Sequence, residues 1–123
     1  MLMAWSHYRD MIVWQKAMDL TDEIYRIIKL LPKEEQFALS QQMRRSAVSV
    51  PSNIAEGHCR QTEKDFRQFL SVAQGSLYEL QTQLYICLRQ HFLSETQAAS
   101  ALELCDEVGK MLTKLITAPS SKN

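Results

Sequence analysis

Glycine and proline are scarce in this chain, three of each in 123 residues, set against six methionines and many Leu, Ala, Glu and Gln. That balance favours helices over sheets. Cysteine is as sparse. Cys59, Cys87 and Cys105 form no Cys-x-x-Cys pair and leave an odd thiol, so reduced thiols are expected rather than a disulfide framework. An excess of either charge is also missing. Lys and Arg total 14, Asp and Glu total 14, and the formal net charge is zero. A broad electrostatic grip on nucleic acid is absent from that total, so any basic patch must be local. No apolar run approaches the roughly 18 residues that a membrane span requires, and Met1–Trp5 is too short for a signal-peptide core. A cytoplasmic protein with no membrane partner is the expectation.

What is present is helical periodicity. The length suits one domain with a single core. Helix one is expected from Asp10, an N-cap residue type, to just before Pro32, with Trp14, Ala17, Met18, Ile24, Tyr25, Ile28 and Leu31 as its apolar positions. Helix two is expected from Lys33, with Glu34 and Glu35 in its first turn and Gly57 as C-cap, inward through Met43, Ala47, Val50 and Ile54. Helix three starts after Thr62, with Asp65 completing a partial capping box. Its stripe is the cleanest: Phe66, Leu70, Ala73, Leu77, Leu80, Leu84 and Cys87, stepping by four and three. Helix four begins at the capping box Ser94–Gln97 and runs through Ala98, Leu102, Cys105, Val108, Leu112 and Leu115. Connections of a few residues imply antiparallel neighbours. The expected fold is an all-α, up-down-up-down four-helix bundle over residues 10–118, with an arm at 1–9 and a disordered tail at 119–123.

The segment Gln42–Gly57 holds an arginine pair, a mid-helix proline and an Asn-x-x-Glu-Gly ending. A proline inside a helix removes a backbone bond and costs about 3 kcal/mol or more, which points to packing or function there. Half a turn from the helix three stripe, at 100° per residue, lie Gln68, Ser71, Gly75, Glu79, Thr82 and Ile86. A solvated back face carries Lys, Glu and Arg. Here small residues dominate, and Gly75 costs about 1 kcal/mol against alanine. Opposite the helix two stripe lie Gln41, Arg45, Ser49, Ser52 and Glu56. Two small, polar back faces imply a second contact surface, with another subunit as the occupant; an ordinary polar face with chance serines is the alternative. Arg45 is read as structural, paired with Glu56 or Glu79 across that surface.

No catalytic or metal constellation emerges. His7, His58 and His91 are scattered, and His58-Cys59 lacks a second ligand pair. Asp19, Asp22 and Glu23, like Glu103, Asp106 and Glu107, fit solvated faces, because the Glu-x-x-His set of bundle di-metal sites is missing. No phosphate-binding glycine loop or zinc-protease motif occurs. No enzyme activity and no cofactor are therefore expected. Arg44 beside Arg45, and Arg60, Lys64 and Arg67 at four- and three-residue steps, are the candidates for phosphate contact, since guanidinium groups fork onto phosphates. For the second group a solvated patch is an equal alternative.

Five segments then stand out in order: Val13-Trp14-Gln15-Lys16-Ala17, Gln42-x-Arg44-Arg45-x-Ala47, Asn53-Ile54-Ala55-Glu56-Gly57, Phe66-x-x-Phe69-Leu70 and Ala73-x-Gly75-Ser76-x-x-Glu79-Leu80. Together they resemble the 23S rRNA intervening-sequence proteins, whose relatives include the accessory variability determinant of diversity-generating retroelements. The resemblance implies a small bundle in a ring-like homopentamer, with no assigned catalytic residues. Its accessory relatives bind nucleic acid and a reverse transcriptase. Arg44, Arg45, Asn53, Glu56, Gly57, Gly75, Ser76 and Glu79 are the family-typical positions. The leading expectation is an RNA-binding accessory protein of bacterial origin. The alternative is an adaptor for a co-encoded protein, without nucleic acid.

Overall fold

The computed structural model describes residues 5–120; residues 1–4 of the expected arm and 121–123 of the expected tail lie outside them. Four helices, α1 (Ile12–Ile27), α2 (Leu39–His58), α3 (Glu63–Arg89) and α4 (Glu95–Ile116), carry the fold, and among the described residues there is no strand. Each helix packs on its neighbours in sequence, and α1 closes on α4. The faces enclose one apolar core, in which Leu20, Ile24, Met43, Ile54, Phe66, Leu70, Leu80 and Leu84 are fully buried. Every residue of the helix three stripe is buried, as its periodicity predicts. Among the described residues no helix is long and apolar enough to cross a membrane.

Several expected boundaries move. Asp10 does not cap α1. It closes a 3-10 turn, Tyr8–Asp10, held by His7 Nδ1 accepting from the Arg9 amide at 3.1 Å, and α1 follows from Met11. Within α1, Met18 and Tyr25 are exposed, while Leu20, Thr21 and Ile27 face the core. The bulky residues suggested a stripe turned too far around the helix. Lys33–Glu35 form a separate 3-10 turn, and α2 begins only at Leu39, after Ala38 leaves the helical region. Thr62 and Ser94 cap α3 and α4 as expected, Ser94 with the full reciprocal box to Gln97.

Gly57 does not end α2. The helix runs on through His58, and no glycine has positive φ. Gly57 is instead a point of close approach, where an added Cβ would lie 2.6 Å from Phe69 Cβ. Pro51 leaves the carbonyl of Ala47, four residues back, without its helical donor. Thr21 Oγ1 on α1 lies 3.3 Å from that oxygen and 2.9 Å from Ala17 O. A side chain on the neighbouring helix thus reaches the group that the proline orphans, and α2 stays continuous.

α3 ends in a Schellman motif. The Phe92 amide donates to Cys87 O at 2.9 Å and the His91 amide to Leu88 O at 3.1 Å. His91 occupies the left-handed position with φ 62°, where glycine is the favoured residue. His91→Gly is expected to raise stability by up to about 1 kcal/mol, read as a higher urea midpoint at unchanged slope.

Candidate functional site

α2 is the helix on which the polar features converge, and its two flanks differ. On the α3 side, polar side chains bond across the seam. Ser46 Oγ donates to Gln83 Oε1 at 2.7 Å, with both residues buried. Ser49 and Ser76 share a hydrogen bond of 2.7 Å, and Asn53 Nδ2 donates to Ser49 Oγ at 2.9 Å. Gln83 Nε2 in turn reaches Glu79 at 3.4 Å. Ser49 and Asn53, expected at a subunit interface or in a structural polar role, are engaged between α2 and α3 of one chain. Small side chains admit this close seam, and hydrogen bonding keeps its buried polar atoms satisfied.

The rest of the expected interface set faces outward. Arg45, Ser52, Glu56, Ser71, Gly75, Glu79 and Thr82 are exposed. Ser52 and Thr82 hydroxyls bond the carbonyls of Val48 and Tyr78 in their own helices. Among the described residues nothing lies within 4 Å of a Cβ built on Gly75, so no contact among them explains that glycine. Exposed Val72, Tyr78, Tyr85 and Ile86 share the outer side of α3 with it. Of these, periodicity had singled out only Ile86. Arg45 forms no ion pair among the described residues. Its two expected partners are engaged elsewhere, Glu56 with Arg60 at 2.8 Å and Glu79 with Gln83.

The expected basic patch at the start of α3 is divided by its own hydrogen bonds. Arg60 pairs with Glu56 and lies 4.7 Å from the centre of the Phe69 ring. Arg67 donates to the carbonyls of Leu115, Ile116 and Ala118 at the end of α4. It serves as a cap for a different helix, a role that one-dimensional spacing does not reveal. Among the described residues, Lys64 alone of the three is exposed and without an ion pair.

A different cationic set assembles on the α1 side of α2. Lys29 in the 3-10 turn Ile28–Leu30 that follows α1, Lys33 in the next turn and Arg44 on α2 line one cleft. An adjoining hollow takes in Arg44 and Arg45, and Tyr25 borders both. None of these four cations has an ion pair among the described residues. Arg44 was in the expected nucleic-acid set. Lys29 and Lys33 were missed because they flank a chain reversal, and no periodicity links them to Arg44. Elsewhere the chemistry is quiet. Burial pushes the thiol of Cys87 up to about 11 and that of Cys105 up to about 12, so both stay protonated and poorly nucleophilic at neutral pH. Among the described residues no three of His, Cys, Asp and Glu gather where they would hold a metal ion.

Four helices around one core, with polar chemistry confined to seams and outer faces, define a class of small helical proteins. The family model described as 23S rRNA-intervening sequence protein matches residues 9–114, and the chain belongs to that family. A solved structure from Bacteroides thetaiotaomicron VPI-5482, described as a protein with unknown function from the S23 ribosomal protein family, is similar to it at 26% identity with a TM-score of 0.81. The match covers 87% of this chain and 100% of that one. No curated protein matches the chain.

Proposed function

We propose that this chain is a non-enzymatic, cytoplasmic subunit of a ring-like homo-oligomer, five copies by family resemblance, that associates with RNA. The order up-down-up-down goes with this reading. It is supported by the α2–α3 pairings, in which Ser46 meets Gln83, Ser49 meets Ser76 and Gly57 meets Phe69. The observation that carries RNA association is the group Lys29, Lys33, Arg44 and Arg45, cations without carboxylate partners on one side of a chain of zero net charge. Repetition of the group in every subunit raises avidity for a long polyanion. The outer side of α3, with Gly75 beside Val72, Tyr78, Tyr85 and Ile86, is the surface we assign to a second copy. The same apolar side chains favour the adaptor as the second reading, with a co-encoded protein in place of RNA.

The test joins light scattering to RNA titration. A particle several times the chain mass of 14.2 kDa is expected at micromolar concentration. Gly75→Leu is expected to reduce it to monomer while the helical circular dichroism persists. RNA binding is expected to fall steeply with salt and to vanish when Lys29, Lys33, Arg44 and Arg45 are all changed to glutamine. A monomeric parent protein overturns the assembly. No RNA retention at tens of micromolar protein in low salt overturns the RNA reading and favours the adaptor.

A further inference from the structure

The cleft between the end of α1 and the start of α2 has the features of a built ligand site. Its volume is about 360 Å³, within the range of small-molecule sites, which begins near 300 Å³. Lys29, Lys33 and Arg44 line it, and no carboxylate does. Glu34 and Glu35 belong to the same turn as Lys33 but are not among the lining residues, and the charge of Glu35 acts on Cys87 at the end of α3. Such a set of donors, one fork and two ammonium groups, fits an anion with several oxygens, as phosphate is.

A second observation points to a ligand independently. Ser40 lines the cleft and is only 4% exposed, yet its hydroxyl has no hydrogen-bond partner among the described residues. No sealed side-chain polar atom among the described residues lacks a partner, so this hydroxyl opens onto the cleft, where a bound acceptor oxygen would take the place of water. Ser40 also sits in the first turn of α2, a helix of 20 residues whose N-cap Ala38 offers no side-chain oxygen. The free amides of an uncapped helix start favour an anion. The wall is completed by Gln36, an amide donor, and by Tyr25, a half-exposed aromatic ring.

We propose that this cleft binds a nucleotide, with the phosphate held by Lys29, Lys33, Arg44 and the Ser40 hydroxyl and the base stacked on Tyr25. The assignment deepens the RNA reading above, because a nucleotide within an unpaired RNA strand and a free nucleoside monophosphate present the same phosphate and the same base face. Stacking tolerates any base, so the site selects single strands over duplexes and shows little sequence preference. Both line the cleft: Tyr25 is exposed, and the Ser40 hydroxyl forms no hydrogen bond among the described residues.

The experiment measures binding of a labelled single-stranded RNA 12-mer by anisotropy, and of AMP by equilibrium dialysis, to the full chain and to Ser40→Ala, Tyr25→Leu and Lys33→Gln. Thermal melts confirm that each variant is folded. Loss of the Tyr25 ring is expected to weaken both ligands about tenfold, and loss of the Ser40 hydroxyl about fivefold. AMP is expected to compete with the RNA, adenosine much less, and duplex RNA is expected to bind more weakly than the single strand. If RNA binds but AMP does not compete and Ser40→Ala and Tyr25→Leu bind as the parent does, the cleft assignment is overturned while the RNA reading stands. If AMP binds with the expected variant losses and RNA does not, the cleft is a free-nucleotide site and the RNA reading falls. If neither binds at millimolar AMP and tens of micromolar protein in low salt, both are overturned.

Discussion

Gly57→Ala is expected to destabilise the fold, although alanine is the better helix former. The exchange contributes about 1 kcal/mol in favour of the helix. Against it stands a Cβ placed 2.6 Å from Phe69 Cβ, 3.1 Å from Phe66 Cδ1 and 3.3 Å from the backbone oxygen of Phe66. Phe69 Cβ is fixed to the α3 backbone, so a rotamer change cannot relieve the contact. The helices must separate, at the point where α2 delivers the chain to α3. Overpacking in a well-filled core costs about 1–3 kcal/mol, occasionally more, and the steepness of this contact puts it at the upper end. The net expectation is a loss of about 2 kcal/mol, seen as a melting temperature lower by roughly 8 °C. Gly109→Ala is the control. Its Cβ would meet only a terminal methyl of Leu77 at 3.4 Å, so a gain of up to about 1 kcal/mol is expected. A Gly57→Ala variant as stable as the parent would show that the two helices move apart freely.

The three glycines illustrate which information resides in sequence. A glycine near the end of a periodic stretch has two physical uses, positive φ or close approach, and the sequence pattern is the same for both. At the end of its periodic stretch Gly57 has the pattern of a cap, whereas the partner that explains it, Phe69, lies on the next helix. Phe66, Leu70, Leu77 and Leu84 were legible because burial on one face of a long helix imposes a strict three-and-four step. α1 was less legible. It mixes large apolar side chains on both sides, and Tyr25 and Met18 face solvent although their size suggests core. Pro51 breaks the local rule for a helix interior, and the sequence shows that much. The carbonyl it orphans is approached by Thr21 on another helix, whose hydroxyl is shared with Ala17 O, an arrangement beyond the reach of any local pattern.

Site residues follow the same division. Ser49 belongs to the back face read from the helix two stripe and Asn53 to the family-typical positions, and one chain uses both in the seam with Ser76. Arg60, in the connection before α3, and Lys64 and Arg67 on it follow at four- and three-residue steps, so spacing groups them. Spacing carries no information on whether a cation is already engaged, and Arg60 and Arg67 are. Lys29 and Lys33 have the converse character. They are separated by Pro32 and a change of helix, and only the fold brings them to Arg44.

Arg67→Ala carries the second large effect, and it separates a structural arginine from a binding one. The last carbonyls of a helix have no intrahelical donor and carry the negative end of its dipole. The Arg67 guanidinium, on α3, donates to three oxygens there, those of Leu115, Ile116 and Ala118. It thereby fixes the last turn of α4 against α3. Hydrogen bonds to a charged group contribute about 1.5–3 kcal/mol each in protein interiors. These are only part-buried and one is long, 3.4 Å to Leu115 O, so their sum is discounted to about 2–3 kcal/mol. Arg67→Ala is expected to lower stability by that amount and to increase amide exchange in the last turn of α4. Arg67→Lys is expected to recover only part, because one ammonium cannot span three carbonyls as the planar fork does. RNA affinity per folded molecule is expected to stay at the parent value. If instead stability is unchanged and RNA affinity drops, Arg67 belongs with the phosphate-binding cations and the capping role is refuted.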